Sequence, residues 1–195
     1  TVLAVDLGSA SGRVLAGTLT DGRLDVTDIH RFKHEARRRQ DGTLTWDVAT
    51  MEAETIIGLK KALEQFPDAR SVSIDTWGVD WAPLDENGDL VGDVIAYRDE
   101  RTSRTLDAFR ERIGDREFFD LTGNQPATIN TANQLFAYLQ ESPSDAQRVA
   151  GGLFLPDYFV YRLTGAVGWS RTIASTSGLL TPGGGDFNDE VFARL

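Results

Sequence analysis

The first part of the chain alternates short β-type runs with turn residues. Residues 2–6 are apolar, residues 8–12 are small and turn-prone, and residues 13–19 return to β-type side chains. A second turn at residues 21–22 leads into a third β-type run over residues 23–34. This alternation predicts an antiparallel β-meander of three strands.

A helical pattern follows the meander. Asp47 is a suitable N-cap, and the helix is predicted to end before Pro67. Its buried face is expected to carry the apolar residues that recur at helical spacing: Val48, Met51, Ile56, Leu59, Leu63 and Phe66. Two β-type runs come next, at residues 71–75 and 79–84. Because a strand, a helix and a strand in succession form a crossover, the flanking strands are predicted to be parallel and the sheet mixed.

The second half of the chain is more helical. The apolar spacing predicts helices at residues 103–113, 115–121, 131–141 and 157–163, with a buried strand at residues 151–156. A Gly-rich turn and the start of another amphipathic helix follow. The whole pattern predicts an α/β fold with a mixed β-sheet and flanking helices. Since the last helix is unfinished and an initiator Met is lacking, we expect a part of a longer protein.

Composition argues against several classes of function. Among 195 residues, 30 Asp and Glu outweigh 20 Lys and Arg, which gives a formal charge of −10. Binding nucleic-acid phosphates needs clustered basic residues, so we expect no nucleic-acid partner. The absence of cysteine excludes disulfides, cysteine-based zinc sites and thiol nucleophiles. No apolar run approaches the roughly 20 residues that span a bilayer, so we expect a cytoplasmic protein without a membrane partner.

The only imidazoles in the chain are those of His30 and His34. Residues four apart on a strand point to the same side of the sheet, which makes a shared metal conceivable. Such a site would need a third ligand, and the sequence offers none nearby. We therefore interpret both histidines as structural.

The segment with the clearest chemistry is DLGSASGR, which begins at Asp6. A strand that ends in a carboxylate and continues into glycine and hydroxyl residues places an acid beside exposed backbone N–H groups. Such a site suits a phosphate and Mg²⁺, which prefers oxygen ligands and keeps several waters. Unlike the Walker A and Rossmann turns, this one leads into a strand after Gly12. We predict that Ser9 to Gly12 form the exposed first turn of the meander, and a simple hairpin turn of small residues is the alternative.

Six segments, taken in order along the chain, resemble the amino-terminal domain of the FGGY carbohydrate kinases. They are AVDLGSASGR at 4–13, HRF at 30–32, LTWDV at 44–48, IDTWGVDW at 74–81, AYRDERT at 96–102 and LPDYFVYRLTG at 155–165. They span nearly the whole chain. Within the family, the resemblance is closest to the rhamnulokinases.

The resemblance implies an actin-like ATPase fold, in which two ribonuclease H-like domains close on a cleft that holds ATP, Mg²⁺ and a sugar. Residues 1–195 would form the amino-terminal domain, incomplete and without the second domain. The implied reaction is the ATP-dependent phosphorylation of L-rhamnulose to L-rhamnulose 1-phosphate by the complete protein. The implied partners are therefore a small sugar and ATP.

The resemblance also implies the positions of the binding residues. The phosphate-contacting loop maps onto Ser9, Ala10, Ser11, Gly12 and Arg13. The metal-associated aspartate maps onto Asp6, and the sugar contact onto Gly78. A glycine suits this contact, because a backbone without Cβ can approach a ligand closely, and Trp77 and Trp81 would form the pocket walls. The alternative is a bulge glycine between core tryptophans.

No catalytic residue is assigned within the chain. The family's proton-accepting aspartate lies beyond the position that matches Leu195, and its adenine-binding residues belong to the second domain. Other polar groups are interpreted as structural: Arg98, Asp99 and Arg101 as a solvated loop, Asn130, Asn133 and Gln134 as helix-capping or core-polar groups, and Asp157 as an N-cap.

Three other functions remain open. Another FGGY kinase, for xylulose, fuculose or glycerol, would share the fold and the Asp6 chemistry and differ only around Trp77 and Gly78. A sugar-responsive repressor would need a basic DNA-binding domain, which this chain lacks. A non-catalytic sugar- or nucleotide-binding domain of the same fold is the third alternative.

Overall fold

The computed structural model describes residues 1–195. Its strands are β1 (Val2–Leu7), β2 (Ser11–Thr20), β3 (Arg23–Lys33), β4 (Ala36–Arg38), β5 (Leu44–Trp46), β6 (Val72–Thr76), β7 (Trp81–Leu84), β8 (Val94–Ile95) and β9 (Gly151–Phe154). Its helices are α1 (Val48–Gln65), α2 (Arg101–Arg104), α3 (Leu106–Arg112), α4 (Asp115–Thr122), α5 (Thr131–Glu141), α6 (Pro143–Ala146), α7 (Leu155–Thr164), α8 (Arg171–Ala174) and α9 (Asp189–Arg194).

The main sheet has the strand order β3-β2-β1-β6. β1 pairs antiparallel with β2, and β2 pairs antiparallel with β3, which confirms the predicted meander. On its other edge β1 pairs in parallel with β6, so that Leu3 lies opposite Val72 and Leu7 opposite Thr76. The mixed sheet is therefore also confirmed. Two smaller sheets, β4-β5-β8 and β7-β9, lie outside it.

Helix α1 makes the crossover between β3 and β6. Asp47 caps it, since its carboxylate accepts a hydrogen bond from the Thr50 N–H at 3.0 Å. A Cβ at Gly58 would collide with the side chain of Val14. The helix therefore packs closely on β2 at this point. The prediction of its buried face is wrong at Leu63, which is half exposed, while Ala62 is fully buried.

The remaining predicted elements shift by a few residues. The helix expected over residues 103–113 is divided into α2 and α3 around Thr105. The strand expected over residues 151–156 ends at Phe154, because α7 begins at Leu155 with Pro156 in its first turn. Asp157 therefore lies inside α7 and is not its N-cap; its carboxylate accepts the Ser170 N–H at 3.0 Å. None of the helices is both long and apolar enough to cross a membrane.

Candidate functional site

The turn between β1 and β2 is an exposed three-residue connection over Gly8, Ser9 and Ala10. It is closed by a backbone hydrogen bond of 2.9 Å from the Gly8 N–H to the Ser11 carbonyl. The backbone of the turn thus lies at the sheet edge and is open to solvent, as the prediction of a phosphate loop requires.

Gly12 does not belong to this exposed turn. It lies within β2, opposite Leu7, and is buried. A Cβ at this position would come within 2.6 Å of the Phe32 ring and 2.8 Å of Leu7 Cδ2. The prediction of an exposed turn reaching Gly12 is therefore wrong, because the missing side chain makes room for the packing of Phe32 under the sheet.

Arg13 and Asp6 face each other across β1 and β2. Nε and Nη2 of Arg13 lie 2.7 and 2.6 Å from Oδ2 of Asp6. Both side chains remain 42% exposed, so solvent screens the pair and its contribution to stability is small, below about 1 kcal/mol. The pairing leaves a guanidinium and a carboxylate accessible at the end of the sheet next to the exposed turn.

The register extends this charged row over all four strands. Asp6 pairs with Asp75 of β6, and Arg13 pairs with Arg31 of β3. Because directly paired residues lie on the same face of a sheet, two carboxylates and two guanidiniums follow one another across that face. The row combines oxygen ligands with groups that bind phosphate.

The two carboxylates fit Mg²⁺ in a nucleotide complex. Asp6 keeps Oδ1 outside its ion pair with Arg13, and Asp75 is exposed beside it. No group of three or more acidic or histidine side chains is placed to hold a metal by itself. Mg²⁺ bound with substrate phosphates needs only one or two protein carboxylates, since phosphate and water complete its shell.

Gly78 lies in the turn between β6 and β7. The strained residue of this turn is the next one in the chain, Val79. Val79 has φ of +71°, which is costly for a β-branched side chain. Its carbonyl accepts hydrogen bonds from Thr131 Oγ1 at 2.7 Å and Gln134 Nε2 at 3.0 Å, both from α5. A Cβ at Gly78 would lie 3.1 Å from Thr176 Oγ1, so the Thr176 side chain would have to shift by a few tenths of an ångström to admit a side chain there.

The aromatic wall beside this turn differs from the prediction. Trp77 packs against Trp46, with ring centroids 4.4 Å apart and planes at 49°. Trp81 is buried instead, edge-on to Tyr138, and lines a separate apolar groove with Phe154. The assignment of Trp81 to the wall beside Trp77 is therefore wrong: the indole that packs on Trp77 is that of Trp46, which is itself buried behind it.

Asp80 connects the two indoles of the wall. It is fully buried, and its Oδ2 accepts hydrogen bonds from Trp46 Nε1 at 2.6 Å and Trp77 Nε1 at 2.8 Å. Burial raises the pKa of Asp80 to about 6, against the opposing effect of the indole hydrogen bonds. The sequence alone did not single out this carboxyl group, because nothing local relates Trp46 to Asp80.

A buried charge cluster continues behind Asp80. Arg101 is only 3% exposed and donates from Nη2 to Gln134 Oε1 at 3.2 Å. Burial lowers the pKa of Arg101 to about 10, which leaves it protonated at neutral pH. The Asp99 carboxylate accepts the N–H groups of Leu44 at 2.7 Å and Arg101 at 3.0 Å. The prediction of a solvated loop is therefore wrong for Asp99 and Arg101, although Arg98 is exposed.

The histidines and Asn130, which directly precedes α5, have structural contacts. His30 Nε2 lies 2.7 Å from Glu54. His34 is buried against Trp77, with ring centroids 6.0 Å apart, and burial lowers its pKa. Asn130 accepts the Ala127 N–H at 2.7 Å, which confirms the structural interpretation of that residue.

Comparison with known proteins identifies the family. A model of the FGGY family of carbohydrate kinases, N-terminal domain, matches residues 1–195. The chain belongs to this family. The match covers the whole chain, so it includes both the β1–β2 turn and the Trp77–Asp80 turn.

Solved FGGY kinases share the fold at low sequence identity. A xylulose kinase from Rhodospirillum rubrum matches with a TM-score of 0.82 and 20% identity, covering 99% of this chain and 40% of that one. A carbohydrate kinase from Novosphingobium aromaticivorans gives 0.77 and 22%, with coverages of 99% and 40%. The glycerol kinase of Plasmodium falciparum with ADP gives 0.81 and 14%, with coverages of 98% and 40%. The predicted actin-like ATPase fold is confirmed, and the chain spans about two-fifths of the length of these kinases.

Proposed function

We propose that the protein containing this chain is an ATP-dependent sugar kinase, with L-rhamnulose as substrate and L-rhamnulose 1-phosphate as product. The observation that carries this proposal is the Asp6 and Arg13 pair at the edge of the sheet, directly beside the exposed Gly8–Ala10 backbone. Membership of the FGGY family supports it. In this proposal residues 1–195 are the amino-terminal domain of the kinase.

The phosphate half of the site lies at the β1–β2 turn. The backbone N–H groups of Ser9 and Ala10 and the hydroxyls of Ser9 and Ser11 would bind the phosphate oxygens of ATP, while the Gly8 N–H closes the turn. On binding ATP, the Arg13 guanidinium would leave the Asp6 carboxylate and pair with a phosphate oxygen. Its planar arrangement of donors suits phosphate. Gly12 allows the close packing of Phe32 and Leu7 against β2 next to the turn.

Asp6 and Asp75 would hold Mg²⁺ on the same face of the sheet. The ion, when bound, neutralises the charge that develops on the transferred phosphoryl group. The net charge of −10 does not oppose nucleotide binding, since Arg13 and the turn amides act at short range.

The sugar half of the site lies at the Trp77–Asp80 turn. Gly78 presents backbone without a side chain, and Trp77, supported from behind by the buried Trp46, supplies the apolar wall. The base that takes the proton from the attacking hydroxyl and the adenine pocket are assigned to the part of the protein outside residues 1–195. The coverage of about 40% of each related kinase supports this division.

A second candidate is a kinase of the same family for another sugar. Xylulose, gluconate and glycerol kinases all share the fold, so the fold does not discriminate between substrates. The IDTWGVDW segment around Gly78, which resembles rhamnulokinases, favours L-rhamnulose.

The test is sugar-dependent release of ADP by the full-length protein. L-rhamnulose, D-xylulose, L-fuculose, gluconate and glycerol are compared at equal concentrations with Mg-ATP. We expect the highest kcat/KM for L-rhamnulose. A preference for another of these sugars would support a sugar kinase but contradict L-rhamnulose as its substrate. A folded protein that releases no ADP in response to any of the sugars would contradict the whole proposal.

A further inference from the structure

Asp80 touches neither the phosphate turn nor the charged row, and yet its environment is unusual. One carboxylate oxygen accepts both indole N–H groups of the aromatic wall, from Trp46 and Trp77. The other oxygen, Oδ1, is buried without a hydrogen-bond partner in the protein. The side chains of Gln134 and Arg101 are both close enough to favour the charged carboxylate. The Arg101 guanidinium donates its hydrogen bond to Gln134 and not to Asp80.

This arrangement is a poor way to stabilise a fold. Burying a carboxylate costs free energy, and Asp80 is fully buried with half of its acceptor capacity unused. The adjacent Val79, with φ of +71°, adds backbone strain that two side chains of α5 hold in place. Such costs concentrate where a structure positions groups for function.

The geometry links the two indoles through a single atom. Trp46 ends β5 and Trp77 follows β6, so the two rings come from different sheets. Because both indole N–H groups donate to the same oxygen of Asp80, that oxygen fixes the direction of both N–H bonds. The ring centroids lie 4.4 Å apart, with the ring planes at 49°. The ring of His34 then lies against both indoles, at 6.0 and 6.1 Å between centroids.

We propose that Asp80 is a positioning residue of the sugar site: by accepting hydrogen bonds from Trp46 and Trp77 at one oxygen, it sets the angle of the aromatic wall beside Gly78. The substrate part of this inference rests on the proposed function, which places the sugar at Gly78. Asp80 itself does not touch the sugar and acts through the two rings.

The experiment uses the full-length protein with three variants, Asp80→Asn, Trp77→Phe and the two combined. Asp157→Asn is the matched control, since Asp157 is partly buried, has its pKa raised by burial as Asp80 does, and accepts a backbone N–H instead of indoles. Two measurements are made: the indole N–H resonances in a nitrogen–proton spectrum, and the KM for sugar and for ATP.

A neutral amide oxygen is a weaker acceptor than a carboxylate, so Asp80→Asn should move the indole resonances of Trp46 and Trp77 upfield and leave those of Trp81 and Trp169 in place. We expect the KM for the sugar to rise about tenfold and the KM for ATP to change less than about twofold. Trp77→Phe should have a similar effect, and the combined variant should add little, because both changes break the same contact. Asp157→Asn should leave both KM values unchanged.

Additive effects of the two substitutions, or an unchanged sugar KM despite shifted indole resonances, would overturn the proposal. If Asp80→Asn does not fold, Trp46→Phe replaces it, since this variant removes one donor and keeps the carboxylate; an unchanged sugar KM would then be the contradicting result. Lack of sugar-dependent turnover in the unsubstituted protein would instead contradict the proposed function, while the resonances would still report whether Asp80 binds both indoles.

Discussion

The turn after β1 and the turn after β6 follow neighbouring parallel strands but are held in place by different means. The β1 turn is exposed, and its charged pair is made by two residues directly opposite in an antiparallel hairpin. The β6 turn is largely enclosed, and its contacts come from Trp46, Thr131 and Gln134, far away in the sequence. Substitutions in the first should therefore change activity with little effect on stability, whereas substitutions in the second should change both.

The largest loss of activity is expected when residues 1–195, which contain both turns, are separated from the rest of the protein. Residues 1–195 alone should show no kinase activity and only weak sugar binding. A ligand held from one side loses much of the burial, typically about 70–90% of its surface, that small-molecule sites provide. Calorimetry with Mg-ATP, L-rhamnulose and D-xylulose, beside the full-length protein, measures this difference.

Gly78 remains in this fragment, so a faint preference for L-rhamnulose over D-xylulose is expected to survive. Robust phosphorylation by the fragment would contradict the assignment of the base to the rest of the protein.

Asp6→Ala in the full-length protein is the next largest change and tests the exposed turn. Turnover should fall by about 100-fold or more, the range for removal of one preorganised electrostatic group. The melting temperature should barely change, because the Asp6 and Arg13 pair is screened by solvent. Sugar-dependent ADP release and thermal unfolding are measured together, and a variant that turns over normally or simply unfolds would show that Asp6 has another role.

Gln134→Ala tests the enclosed turn in the same way. Gln134 binds the carbonyl of the strained Val79 and the buried Arg101 guanidinium. Its removal leaves the guanidinium without this acceptor and the Val79 carbonyl with Thr131 as its remaining side-chain donor. We expect the free energy of unfolding to fall by about 2–4 kcal/mol. Urea unfolding measures this loss, with Gln147→Ala on the exposed surface as the control.

A change at Gln134 no larger than that at Gln147 would mean that the β6 turn does not depend on α5. The contrast between the two turns would then be wrong, since the enclosed turn would be as independent of distant residues as the exposed one.

The same contrast explains which parts of the site could be predicted from the sequence. The meander and the position of Asp6 at the end of its strand depend on local alternation and on pairing across one short turn. The pattern of β-type and turn residues was therefore sufficient to predict them. The burial of Gly12 was missed because it depends on Phe32, two strands away from Leu7 in the sheet. The positions of Trp46, Asp80 and Arg101 depend on packing between distant segments, and alternating charges in AYRDER gave no indication that two of them are buried.

The pH dependence of stability from Asp80 is expected to be about as large as the effect of Gln134→Ala. Because its pKa in the folded protein is raised to about 6, from an ordinary value of 3.8, the folded state binds its proton more tightly than the unfolded state. The stability that the protonated group contributes is therefore fully present below pH 3.8 and is lost as the pH rises through about 6. A difference of about two pKa units corresponds to about 3 kcal/mol.

The measurement compares the unfolding free energy of the protein with that of Asp80→Asn between pH 4 and 7, where the protein should lose stability relative to the variant as the pH rises. Asp85 provides the opposite case on the surface, since the backbone N–H groups of Asp89 and Asn87 lower its pKa. Relative to Asp85→Asn, measured at lower pH, the protein should lose stability as the pH falls below about 3.8 towards the lowered pKa of Asp85. If both comparisons changed in the same direction, burial would not be the dominant influence on Asp80, and the enclosed turn would be more open to solvent than its contacts indicate.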